Sequence, residues 1–260
     1  MKRSLYFFIL LLILLQACSA LPALESATST PLPTNTSEPT STPLPTETPT
    51  PVPTSTPDKT ATAVAQATET SNTVLSELDR LLGDSDIPYQ DGRLAWKQVK
   101  PLMVSLTGPG WDYVEVDRDL VGKNFILKSD VTWEASGIII CGLIFRSEPN
   151  VEKGRQYQFA YLRLSGLPAW EIDVFEFGGY KNSPTKVQFS NAIDQGNGAV
   201  NQVVLVAQEE QFTLYINRVR QGRYFDYSKQ RMEGNFAFHA AQDSGNGTCN
   251  FENSWVWALE

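Results

Sequence analysis

The stretch Asn124-Phe125-Ile126-Leu127-Lys128-Ser129-Asp130-Val131-Thr132-Trp133-Glu134 decides the reading of the fold. Phe125, Leu127, Val131 and Trp133 alternate with Lys128, Asp130, Thr132 and Glu134, the period of two expected of a strand with one buried face. Residues 137–145 follow directly and are apolar on both faces, which predicts a strand at the centre of the domain. Working outward, strand-like runs recur at 157–164, 170–177, 186–190, 202–207, 212–217, 235–241 and 250–259, close to the regular beat of a sandwich. Gln208-Glu209-Glu210 is a short polar link, so 203–216 reads as a hairpin. Only residues 94–103 offer a pattern of helical length after Gly83. The expected fold is all-β, two packed antiparallel sheets over residues 84–260.

Upstream the composition inverts. Ten of the 16 prolines fall between Pro22 and Pro57, whereas all 6 tryptophans lie at or after Trp96, so only the second part can build a core. Lys2 and Arg3 precede an apolar run over residues 5–15, long enough for an export signal and too short to span a bilayer. Leu15-Gln16-Ala17-Cys18 resembles the lipobox of bacterial lipoproteins, which implies cleavage after residue 17 and acylation of Cys18. The expected partner is then the membrane, with the domain displayed outside the cell; several acyl chains anchor stably where one does not. Residues 18–62 read as a disordered stalk of Pro, Thr and Ser, extended at ~3.1 Å per residue. Residues 63–83 read as a short amphipathic helix, from the spacing of Val74, Leu75, Leu78, Leu81 and Leu82 and the terminating Gly83. It could serve self-association of the stalk or dock on the domain.

The formal charge is −8 with no basic cluster, so nucleic acid is not an expected partner. The single histidine, His239, rules out multi-histidine zinc sites and sits in an alternating run, where it reads as structural. No cofactor or metal site is expected beyond a structural calcium; the acid pairs Asp84/Asp86 and Asp117/Asp119 are its candidates, without a full ligand set. Of the 3 cysteines, Cys141 and Cys249 remain once Cys18 is acylated. In an exported protein they are expected to form a disulfide, the alternative being two buried thiols.

The ordered segments Asn124-Phe125-Ile126-Leu127, Gly142-Leu143-Ile144-Phe145-Arg146, Asn201-Gln202-Val203-Val204-Leu205-Val206, Phe212-Thr213-Leu214-Tyr215-Ile216-Asn217 and Phe251-Glu252-Asn253-Ser254-Trp255-Val256-Trp257 resemble the concanavalin A-like lectin/glucanase jelly roll, nearest its 3-keto-disaccharide hydrolase-like branch. The resemblance covers residues 111–260. It implies a two-sheet jelly-roll sandwich with a polysaccharide ligand on the concave face, and fixes fold better than activity. Within it, Trp170-Glu171-Ile172-Asp173-Val174-Phe175-Glu176-Phe177-Gly178 resembles the signature of glycoside hydrolase family 16. Carried over, that motif makes Glu171 the nucleophile, Asp173 its assistant and Glu176 the acid/base of a retaining enzyme. A regular strand puts Glu171 and Asp173 on one face and Glu176 on the other, so catalysis requires a β-bulge after Asp173. The expected reading is therefore a non-catalytic, glycan-binding module. A tethered glycanase and a structural or protein-binding module are the alternatives. For the ligand face the sequence nominates Arg146, Tyr161, Arg163, Trp170 and Tyr180, aromatic rings to stack on sugar and charged groups to take hydroxyls.

Overall fold

The structure, a computed structural model, describes residues 59–164, 167–229 and 231–259. The expected export signal, Cys18 and the Pro/Thr segment lie outside the described residues, as does the side chain of Arg163. Two seven-stranded antiparallel sheets make up the domain. The first runs β1 (Arg93–Lys97), β14 (Asn246–Ala258), β4 (Phe125–Ala135), β10 (Asn201–Gln208), β11 (Gln211–Ile216), β12 (Val219–Phe225), with β2 (Leu102–Thr107) also paired to β14. The second runs β3 (Gly110–Glu115), β13 (Asn235–Gln242), β5 (Ile139–Ser147), β6 (Gln156–Leu164), β7 (Leu167–Glu176), β8 (Gly179–Asn182), with β9 (Gln188–Phe189) beside β7.

The inward residues of β4 are those of the alternating pattern: Phe125, Leu127, Val131 and Trp133 are all buried. They meet Leu143, Phe145, Phe159, Ile172 and Phe238 of the second sheet in one continuous core. Cys141 of β5 and Cys249 of β14 project into it from opposite sheets and are joined in the expected disulfide, with a Cα–Cα distance of 5.6 Å. With both sheets antiparallel and the chain crossing repeatedly between them, the domain is a two-sheet jelly-roll sandwich.

Residues 94–103 are not helical. They form β1 and the start of β2, which pair with successive halves of β14: Trp255–Ala258 against β1, Asn246–Phe251 against β2. Between the halves β14 has an irregularity at 252–255, and Gln98 fills the gap, accepting from Ser254 N (2.9 Å) and donating to Phe251 O (2.7 Å). Strand pairing here overrides a helical spacing too short to hold a helix alone.

The first sheet's outer face is covered by α1 (Lys59–Leu82). Val74, Leu78 and Leu82, one turn apart, are buried against Ile126, Val204, Val206, Trp255 and Trp257. Polar ties fix the helix in place: Trp255 Nε1 donates to Glu77 Oε2 (2.9 Å), and Lys128 Nζ, buried beneath the helix, reaches Asp130 (2.9 Å) and Glu77 (3.5 Å). Its first half is exposed, with the hydroxyls of Thr68, Thr70 and Thr73 folded back on carbonyls one turn earlier.

Candidate functional site

Among the described residues no helix covers the second sheet. Its outward side chains form rows across the strands, fixed by register. One row reads Tyr113, His239, Gly142, Ala160, Glu171. The next reads Glu115, Ala237, Ile144, Gln158, Asp173. Trp111 begins a third beside Tyr113, ring centroids 5.1 Å apart, and Phe175 with Tyr180 ends a fourth, at 6.1 Å edge to face. The floor is lowest where the side chains are smallest, at Gly142 and Ala160. A Cβ added at Gly142 would lie 2.2 Å from both His239 Nε2 and Phe159 O, so the glycine is what lets the imidazole lie flat there. Burial holds that imidazole down to about 4, hence neutral, with the Phe159 carbonyl pulling weakly the other way.

The segment joining β5 to β6 folds over one end of this face and seats Val151 on Ile144, Ala237 and Tyr113. Between that segment and β3 opens a cavity of about 370 Å³, lined by Tyr113, Glu115, Asp117, Arg118 and Asn150 among others. Arg118 Nε donates to Glu115 Oε2 at 2.5 Å, and Asn235 is spent on the Arg118 and Leu120 carbonyls. A cavity of this size, with an aromatic wall and converging acid, base and amide groups, suits a small polar ligand.

The three acids of the glycosidase-like motif separate. Pairing of β7 with β6 is unbroken from Phe175↔Gln156 to Leu167↔Leu164. The one irregularity lies on the other side, where Lys181 is the extra residue of β8. Glu171 and Asp173 thus stand on the outer face, while Glu176 keeps the parity of the core residues Trp170, Ile172 and Val174. Glu176 is held at the rim by Lys181 Nζ (2.6 Å) and Arg155 Nε (2.7 Å). Lys181 first, with Arg155, keeps its carboxyl below the ordinary value, the opposite of what a proton-donating acid needs. Asp173 goes the other way: burial, then repulsion from Glu171, lifts its carboxyl to about 6. Glu171 is raised by burial alone.

Most of the nominated ligand residues are elsewhere. Arg146 is fully buried: its guanidinium donates to Lys123 O (2.7 Å) and Glu209 O (2.6 Å) and lies over the Phe212 ring. Alternation along β5 would place it outward with Gly142 and Ile144. A bulge opposite 235–237, with Arg146 at φ 50°, turns it inward instead. Tyr161 packs on Trp133 in the core, and Trp170 packs on Tyr224 and Phe159. Tyr180 alone of the described nominees is exposed on the outer face. Trp111, Tyr113, Glu115 and Gln158 belong to that face and escape the sequence reading; the alternation Trp111, Tyr113, Glu115 is the signal that finds the first three. Asp86 is engaged by Arg223 at 2.7 and 2.8 Å, and Asp117 Oδ1 accepts a hydrogen bond from Asp119 N within a turn.

Comparison with protein-family models and with curated proteins gives no match. Solved structures give distant likenesses. A carbohydrate-binding module, CBM66, from Bacillus subtilis is 17% identical, over 58% of this chain and 84% of that one, with a TM-score of 0.43. A Bacillus licheniformis beta-glucanase is 9% identical over 62% and 79%, at 0.44. A Bacillus subtilis protein of unknown function with a galectin-like fold is 11% identical over 66% and 92%, at 0.42. Scores of this size leave the fold to be read from the strand pairing itself.

Proposed function

We propose that the chain is a lipid-anchored protein of the bacterial surface whose sandwich binds glycan on the outer face of the second sheet without cleaving it. The observation that carries this reading is the outer face of the second sheet, which no described helix covers. The β5–β6 segment closes over Ile144 and Ala237 at one end; beside it lie a cavity, aromatic rings at both edges and, between them, recessed amide and carboxylate groups. Rings at the edges suit the C–H faces of sugars, and the central polar groups suit their hydroxyls. The regular strand β7 argues against a retaining glycosidase built on this motif, because Glu176 and the Glu171/Asp173 pair sit on opposite faces. Export, acylation of Cys18 and the stalk are supported by sequence, and the inter-sheet disulfide suits an oxidising compartment.

The test is binding of the full chain to a polysaccharide panel by affinity electrophoresis, with reducing-end release measured on the same panel. Retarded migration without release, weakened by Tyr113→Ala or Tyr180→Ala, is the expected result. Release that Glu171→Gln abolishes would make the chain a glycanase instead. A silent panel would leave a structural or protein-binding module.

A further inference from the structure

The centre of the outer face holds polar groups that the fold answers only in part: Ser183 hydrogen-bonds the Asp173 carboxylate. Asp173 is 7% exposed and its Oδ1 has no hydrogen-bond partner. Directly across from it on β6, Gln158 is 4% exposed, and its side-chain amide makes no hydrogen bond with the described residues. Glu171, two residues from Asp173 on the same face, has no ion-pair partner among the described residues either. Buried polar groups are normally satisfied, and each exception asks for an explanation. Asp173 Oδ1 is such an exception, and its neighbours on this face are the unengaged Gln158 amide and the half-buried Glu171, whose charge repels that of Asp173.

Among the described side chains, Arg155 and Lys181, which flank β6 and β7, both close on Glu176 at the rim. One strand therefore carries an acid with two counter-charges on one face and two acids with none on the other. Folding alone gains nothing from this arrangement, since charges of one sign held together in a buried setting cost stability.

Resting on the glycan reading above, we infer that Glu171, Asp173 and Gln158 form a subsite for a cationic amino sugar, a hexosamine unit with its amine free. The ammonium supplies three donors and the missing positive charge to Glu171 and Asp173. The Gln158 amide, donor and acceptor at once, takes an adjacent hydroxyl. An N-acetylated sugar offers one neutral donor in place of three charged ones. A uronic acid adds a third negative charge.

The experiment is calorimetric titration of the full chain at neutral pH and low salt with the glucosamine tetramer, the N-acetylglucosamine tetramer and calcium chloride. Asp173→Asn and Glu171→Gln are titrated alongside. Both substitutions are isosteric and remove repulsion, and a thermal melt of each confirms the fold. The expected result is binding of the glucosamine tetramer at least about tenfold tighter than its acetylated counterpart, with that margin lost in either variant. Equal affinity for both tetramers, a preference for the acetylated one, binding of calcium alone, or a margin unchanged in the variants overturns the subsite while leaving glycan binding in place. Silence here and across the polysaccharide panel overturns the glycan reading as well.

Discussion

The two sheets present outer faces built by the same alternation and finished in opposite ways. On the first, Ile126, Val204, Val206, Trp255 and Trp257 point outward and α1 lies over them. On the second, the outward residues are Tyr113, His239, Gly142, Ala160, Ile144, Ala237, Gln158, Glu171 and Asp173; the β5–β6 segment covers Ile144 and Ala237, and among the described residues no helix lies over the rest. A sheet side whose residues lose by contact with water acquires a cover from its own chain; one that tolerates water stays available. The difference teaches that the side of this sandwich given a helix is the one with large apolar residues, two tryptophans among them, to hide.

Removing the cover is the largest way to break the comparison. A chain beginning at Asp84 loses Val74, Leu78 and Leu82 and bares two tryptophans, a loss on the order of 5 kcal/mol in buried apolar area. It is expected to aggregate or to bind a hydrophobic dye, whereas the longer chain does not. Next comes the link between the sheets. Reducing Cys141–Cys249, or replacing both by serine, opens a loop spanning 108 residues and is expected to cost about 4–5 kcal/mol, read as a shift of the urea midpoint.

A smaller effect sharpens the account of the second face. His239, depressed from 6.5 to about 4, binds its proton less well folded than unfolded. Its contribution to stability is present above about 6.5 and is lost as pH falls toward 4. Asp173, raised from 3.8 to about 6, has the opposite sign: its cost is present above 6 and is relieved over nearly the same interval as pH falls. The two slopes oppose one another. Asp173→Asn is expected to make the acid loss of stability between pH 6.5 and 4 steeper than in the parent, and a difference curve that is flat or of reverse sign would refute the opposition. The smallest effect is Tyr180→Ala, at a residue 62% exposed: within about 0.5 kcal/mol of the parent in stability, with the loss appearing only in glycan affinity.

Much of this frame is legible in the sequence, and for definite reasons. β4, β5, β10, β11, β13 and β14 announce themselves because their burial on one or both faces forces a hydrophobic pattern. β1, β2, β3 and β12 do not, because they are short and half-exposed, and pairing with a neighbour decides them more than their own residues do. Alternation also divides a strand into two faces without saying which one meets the other sheet. That is why Tyr161 and Trp170, reasonable as sugar platforms, turn out to be core. For Arg146 even the parity fails, since a bulge invisible in the residue pattern inserts half a period. The Glu171/Asp173 pairing on one face survives because β7 is regular, and the same regularity separates Glu176 from them.

The seat of α1 has a mechanical consequence. A load applied from the N-terminal side of the domain reaches that helix before any strand. It acts on contacts that can be peeled a turn at a time, rather than on β14, which is hydrogen-bonded along both edges. Unravelling the 24 residues of the helix releases about 45 Å of chain while the sandwich stays whole. A pulling trace is expected to show this as a low-force step ahead of the main rupture. The same helix that keeps two tryptophans dry would then yield first under tension and spare the second sheet.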